Sequence, residues 1–189
     1  MRYLRRYKAA HPYPRFGPAN YVTTIRAVLV ALVATFIVRP VTPEGLWAVI
    51  GVTTIAAALD GLDGWLARRT RMASEFGARF DMETDAVLIL VLSILVWQQG
   101  KAGAWVLLCG LMRYGFVAAG WLQPWMAQPL RSTQRGKTVA VGQLLGLSVA
   151  LAPIVSPPVS TLVAALALTA LAWSFAIDVR WLSRHYRTT

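Results

Sequence analysis

The segment LWAVIGVTTIAAALDGLDGWLAR, residues 46–68, is an apolar run that ends in two aspartates and an arginine. A helix of about 20 apolar residues crosses the hydrocarbon core of a bilayer. Its first fourteen residues carry no charge, so the segment reads as a membrane span. A charged side chain at the bilayer centre costs about 2.5–3.5 kcal/mol on insertion scales, and those that are kept face the protein interior and serve function. Asp60 and Asp63 are three residues apart and share one helix face. Gly64 and Ala67 continue that face with little bulk. Asp60 lies eight residues before Arg68, or about 12 Å along a helix. It sits below the membrane surface but within reach of it.

The rest of the chain repeats the apolar pattern. Of 189 residues, 57% are hydrophobic and 14% charged, with mean hydropathy +0.52. Soluble domains carry about 25% charged residues, so this composition is written for lipid. Six spans are expected, at 20–38, 46–68, 76–98, 102–122, 139–154 and 159–178. The fold class is therefore all-α, an integral membrane bundle of six transmembrane helices. Residues 1–189 read as one domain, with no internal repeat. Residues 1–14 are basic with Tyr3, Leu4, Tyr7 and Tyr13 interspersed, and are expected to form an amphipathic juxtamembrane segment on the membrane surface. The first twenty residues lack the continuous apolar stretch of a signal peptide. Eight Trp suit anchoring at the headgroup level. The single Cys109 lies in an apolar run and can form no internal disulfide.

The net charge of +11 suggests topology rather than nucleic acid, because the basic residues fall between the spans. Arg2, Arg5, Arg6, Lys8 and Arg15 precede the first span. Arg68, Arg69 and Arg71 follow the second, Arg131, Arg135 and Lys137 open the fifth, and Arg180, Arg184 and Arg187 follow the sixth. The opposite side holds only Arg39 and Lys101. Fourteen against two places both termini in the cytoplasm.

Six of the eight acidic residues lie between positions 60 and 85. Gly77, Asp81 and Asp85 repeat every four residues and form one stripe on the third span. Asp60, Asp63, Asp81 and Asp85 thus converge. Four carboxylates cannot stay close and ionised alone: either some take protons or cations bind. Oxygen-only ligands suit hard ions such as Mg²⁺ or Mn²⁺. A site for softer metals is not expected, since His11 and His185 lie in the tails. The plainer alternative is a pair of intramembrane Asp–Arg contacts made by Arg68 or Arg79. Glu83 lies off the stripe, as a supporting residue or a partner for Arg79.

Residues 60–85 read D-x2-D-G-x2-A-R-x8-G-x3-D-x3-D, with every fixed position filled. This resembles the signature of the CDP-alcohol phosphotransferases, whose six-span layout also agrees. The run Asn20, Thr23, Arg26 is similar to the N-x-x-T-x-x-R opening of bacterial members. The resemblance implies metal-dependent transfer of a phosphatidyl group from CDP-diacylglycerol to an alcohol acceptor, with release of CMP, in phospholipid biosynthesis. It implies two Mg²⁺ or Mn²⁺ ions, with Asp60 and Asp81 touching both, Asp63 the first and Asp85 the second. Asp85 would also be the catalytic base. Thr23, Gly64, Ala67, Arg68, Ser74 and Gly77 would hold the nucleotide donor. It further implies a homodimer in the bacterial inner membrane with the active site facing the cytoplasm.

The acceptor is less constrained. Asn20, Arg26, Arg113, Arg135 and Lys137 are candidates to line its pocket. Arg26 and Arg113 fall inside spans, so each needs a partner or a lipid phosphate. Phosphatidylglycerophosphate synthases carry L-D-P-x-A-D-K at the third span, whereas this chain has Phe80, Asp81, Met82, Glu83, Thr84, Asp85 and Ala86. That departure leaves the acceptor open. A soluble CDP-alcohol donor with a lipid acceptor is an alternative. An ion or proton transporter is another, although it predicts acidic residues on several helices and repeated or broken spans.

The charge distribution makes one direct prediction. A cysteine placed at Ala73, in a Cys109→Ala background, resists an impermeant thiol reagent in intact cells. Ready labelling there would overturn the orientation.

Overall fold

A computed structural model describes residues 18–70, 75–123 and 134–186; for 18, 19, 63–68, 70, 75, 76 and 184–186 it describes the backbone alone. The juxtamembrane segment 1–14 therefore lies outside the described residues, as do Arg71, Ser74 and Arg131. Among the described residues there are six α-helices and no strand. They are α1 Pro18–Ala34, α2 Pro43–Thr70, α3 Glu75–Gln98, α4 Leu108–Leu122, α5 Gln134–Leu151 and α6 Val159–Tyr186. Single 3₁₀ turns extend α1 through Thr35–Val38 and precede α4 at Ala104–Leu107.

Four stretches are long and apolar enough to cross a membrane by length and composition: Asn20–Val38, Pro43–Leu62, Ala104–Leu122 and Val159–Ser183. The chain is a membrane protein of all-α class. The other two helices carry more polarity. Asp81, Glu83 and Asp85 sit in α3, and Gln134, Arg135, Lys137 and Gln143 in α5. Helix α3 is enclosed in its apolar half. It packs against α1, α4 and α5, and Leu88, Leu92, Ser93, Leu95 and Val96 are all but sealed from solvent. A helix enclosed by protein need not be apolar on every face, because neighbouring helices can satisfy its polar groups.

Each inner helix carries one buried stripe. In α2 it runs Leu46, Val49, Thr53, Ala56, and Asp60 is the next residue in the same register. In α3 it runs backward from Leu95 through Leu92 and Leu88 to Asp85 and Asp81. In α1, Val33 and Val30 lead to Arg26, Thr23 and Asn20. Each stripe is apolar at one end of the bundle and polar at the other. α1 packs on both α2 and α3, while among the described residues direct packing of α2 on α3 is minor. The motif that is continuous in sequence is thus split across a gap that α1 bridges.

The opposite end is closed by local chemistry. α3 stops in a Schellman motif: Lys101 N–H donates to Val96 O, Gly100 N–H donates to Trp97 O, and Gly100 has φ +64°. Lys101 Nζ then donates to the Ala152 and Val155 carbonyls past the end of α5. Ser160 Oγ and Thr161 Oγ1 return hydrogen bonds to Lys101 O at 2.7 and 3.0 Å. One of the two basic residues assigned to that side is therefore consumed in joining two turns.

Helix α4 approaches α3 at Gly110, where an added Cβ would lie 2.7 Å from Leu90 Cβ and closer still to Leu90 Cα. Small residues at such crossings let backbones meet. Gly110→Ala is expected to destabilise the protein by about 1–3 kcal/mol through overpacking. Gly115→Ala, on the same helix with nothing within 4 Å, should be neutral or slightly stabilising. Thermal denaturation of the two variants in one detergent distinguishes them; equal melting temperatures would contradict the close approach.

Candidate active site

The three polar stripes meet at Arg26. Its side chain is 1% exposed, and its guanidinium contacts a carboxylate from each side of the gap. Nη1 lies 2.9 Å from Asp60 Oδ1 of α2 and also pairs with Asp81 Oδ1 of α3. Nη2 pairs with Asp85 Oδ1. One oxygen from each of Asp60, Asp81 and Asp85 falls within 4.8 Å of the others. The three aspartates are only partly exposed, at 34%, 35% and 24%, so the cluster is walled on one side and open on another.

Arg26 was a candidate for the acceptor pocket, and its partner is now clear. It is a counter-ion of the aspartates, a role for which sequence spacing suggested Arg68 or Arg79. The signal was present: Asn20, Thr23 and Arg26 recur every three residues, and all three are buried. Thr23 and Asn20 extend the same face of α1. Gly77 stands one turn before Asp81 on α3. The side chains of Asp63, Gly64, Ala67 and Arg68 lie outside the described residues.

The other acceptor candidates stand apart from the cluster's core. Arg113 of α4 pairs with Glu83 of α3, and its Nη1 lies 2.9 Å from Met82 Sδ. Glu83 thus faces α4. Arg135, in the first turn of α5, pairs with Asp178 of α6, and its Nε donates to Ser174 Oγ at 3.4 Å. Lys137 is exposed. Sequence reading did not use Asp178, since a lone acidic residue near the end of the last span gave no spacing to read.

The donor set fits a hard divalent cation. The cluster is built of carboxylates, and an octahedral ion with oxygens at about 2.1 Å places them roughly 3.0–4.2 Å apart. A small contraction of the present cluster reaches that range. The charges point the same way. Asp60, Asp81 and Asp85 bring three carboxylates to one place, and a bound cation would offset their mutual repulsion.

A membrane bundle with an acidic, cation-suited centre split between two helices defines a class of intramembrane enzyme that works on charged substrate groups. Residues 17–177 match the model of the CDP-alcohol phosphatidyltransferase family. The chain belongs to that family and is a CDP-alcohol phosphotransferase. Among its relatives is a CDP-diacylglycerol–glycerol-3-phosphate 3-phosphatidyltransferase of Pseudomonas fluorescens, 30% identical over 154 residues, covering 75% of this chain and 74% of the relative. The enzyme of the same name from Escherichia coli K12 is 28% identical over 114 residues, covering 60% and 62% respectively.

The Arg113–Glu83 pair joins α4 to α3 beside the site. Glu83→Gln should lower stability by leaving Arg113 without its charge partner, and Arg113→Gln added to it should cost little more. The expected coupling from the double-mutant cycle is about 0.5–3 kcal/mol. Strict additivity of the two losses would show the pair to be uncoupled.

Proposed function

We propose that the protein transfers the phosphatidyl group of CDP-diacylglycerol to a hydroxyl of glycerol 3-phosphate, releasing CMP, within a six-span inner-membrane bundle whose termini are both cytoplasmic. The observation that carries this reading is the convergence of Asp60, Asp81 and Asp85, in a chain similar to enzymes named for that reaction. A largely apolar groove between α1 and α3, lined by Ala27, Val30, Ala31 and Ala34 of α1 and by Phe80, Glu83, Thr84 and Val87 of α3, suits an acyl chain of a diacylglycerol donor. Residues 1–189 act as one domain, and the family resemblance supports a homodimer.

Asp60, Asp63, Asp81 and Asp85 would hold two divalent cations, Mg²⁺ or Mn²⁺. When bound, such ions neutralise the non-bridging and leaving oxygens of a pyrophosphate. The chain's own residues supply the rest. Gly64, Ala67 and Gly77 leave room for the nucleotide, and Thr23, Arg68 and Ser74 engage its polar groups. Asp85 takes the proton of the acceptor hydroxyl. That oxygen bonds to the phosphorus bearing diacylglycerol, the pyrophosphate P–O bond breaks, and CMP leaves. Asn20, Arg113, Arg135 and Lys137 contribute polar and cationic groups toward an anionic acceptor. Arg135 is braced by Asp178, which fixes its guanidinium at the start of α5.

Thin-layer chromatography of products from labelled CDP-diacylglycerol, offered glycerol 3-phosphate, serine, inositol phosphate and phosphatidylglycerol in turn, tests the reaction. Phosphatidylglycerophosphate is the expected product. A product formed only from a soluble CDP-alcohol and a lipid acceptor would overturn the proposal. EDTA should abolish turnover and Mg²⁺ or Mn²⁺ restore it. Asp85→Asn should lower the rate by about 10²–10⁴-fold, as loss of a general base does. It should also remove a rising limb from the pH–rate profile while retaining more nucleotide binding than Asp60→Asn. Near-normal turnover with an unchanged profile would remove Asp85 from this role.

A further inference from the structure

An arginine cannot shed its charge inside a protein, so a buried guanidinium keeps its anions until another cation replaces it. Arg26 is all but sealed from solvent and contacts each of the three clustered carboxylates. The oxygens it contacts include Oδ1 of Asp60, Asp81 and Asp85, which belong to the carboxylates available to a cation. A guanidinium and a divalent ion cannot share the same inward-facing lone pairs at full strength. Arg26 comes from α1, which packs on both α2 and α3, so its ion pairs also tie together two helices that among the described residues pack little on each other.

We propose that Arg26 is the built-in counter-ion of the carboxylate cluster: it holds the two aspartate-bearing helices together when no metal is bound, and a divalent cation enters by displacing its guanidinium. This rests on reading the carboxylates as a cation site. It assigns to the N-x-x-T-x-x-R arginine a role as competitor and placeholder. The same exchange explains how an acidic cluster survives in a membrane before its ions arrive. Arg26 and the cation are then linked ligands of one site, and each lowers the other's affinity by the same factor.

The test uses the full-length protein in detergent with Mn²⁺ alone and no nucleotide. Free Mn²⁺ is read by electron paramagnetic resonance, and stability by thermal denaturation. Arg26→Gln should bind Mn²⁺ more tightly than wild type, by about tenfold or more, within the range of site-to-site couplings. Its melting temperature should be lower in EDTA, with the gap to wild type closing at saturating Mn²⁺. A merely structural arginine predicts the opposite: unchanged or weaker Mn²⁺ binding, and a gap that persists at every concentration. That result overturns the proposal. Should Arg26→Gln not fold, Arg26→Lys serves. It keeps the charge, but a compact ammonium cannot match the forked contacts of a guanidinium, so Mn²⁺ affinity should still rise; no rise in Arg26→Lys overturns the proposal equally. Failure of both wild type and variant to bind Mn²⁺ would overturn the reading of the cluster as a cation site, and this proposal with it. Binding without a difference would overturn the role of Arg26 alone.

Discussion

Three carboxylates gathered around one guanidinium inside a membrane bundle set the terms for everything near them. Unpaired, each charge would carry a heavy desolvation penalty; paired through Arg26, they draw α1, α2 and α3 to one point. The apolar stripes behind them, Leu46–Ala56 of α2, Leu88–Leu95 of α3 and Val30–Val33 of α1, supply the packing that keeps that point fixed. Packing sets the helix axes, and the charges set what the open end of the bundle can bind.

The arrangement also divides labour between the two ends of the molecule. At one end the polar groups are satisfied by backbone: Lys101 caps carbonyls, and Ser160 and Thr161 close the loop. At the other end three carboxylates gather at Arg26. A centre of that kind suits divalent cations, which can support phosphoryl transfer. Further out, Arg113–Glu83 and Arg135–Asp178 pair charges across α3–α4 and α5–α6. These pairs fix the two guanidinium groups against neighbouring helices.

The stretch Phe80–Ala86, where this chain departs from the synthase pattern, has a physical reading in the fold. Met82 and Glu83 both contact Arg113, and Thr84 is buried with its hydroxyl donating to Phe80 O at 2.9 Å. Ala86 is buried as well. The positions around Asp81 and Asp85 are thus committed to packing and to Arg113, and a lysine at 86 would have to enter protein interior.

Much of this was determined by sequence alone. Apolar runs of bilayer length fixed the helical class. The i,i+3 and i,i+4 spacing of Asp60, Asp63, Asp81 and Asp85 fixed which faces carry charge, because helix geometry converts spacing into direction. Four of the spans are apolar enough to stand on that evidence in the structure too. For α3 composition is divided: its apolar half is sealed among three neighbours, while its polar half carries Asp81 and Asp85 at the open end of the bundle. Partnership was decided by tertiary structure. That Arg26 meets the aspartates, that Glu83 takes Arg113, and that Arg135 takes Asp178 depends on how helices distant in sequence cross. Spacing within one helix says which way a side chain points; it cannot say which other helix stands there.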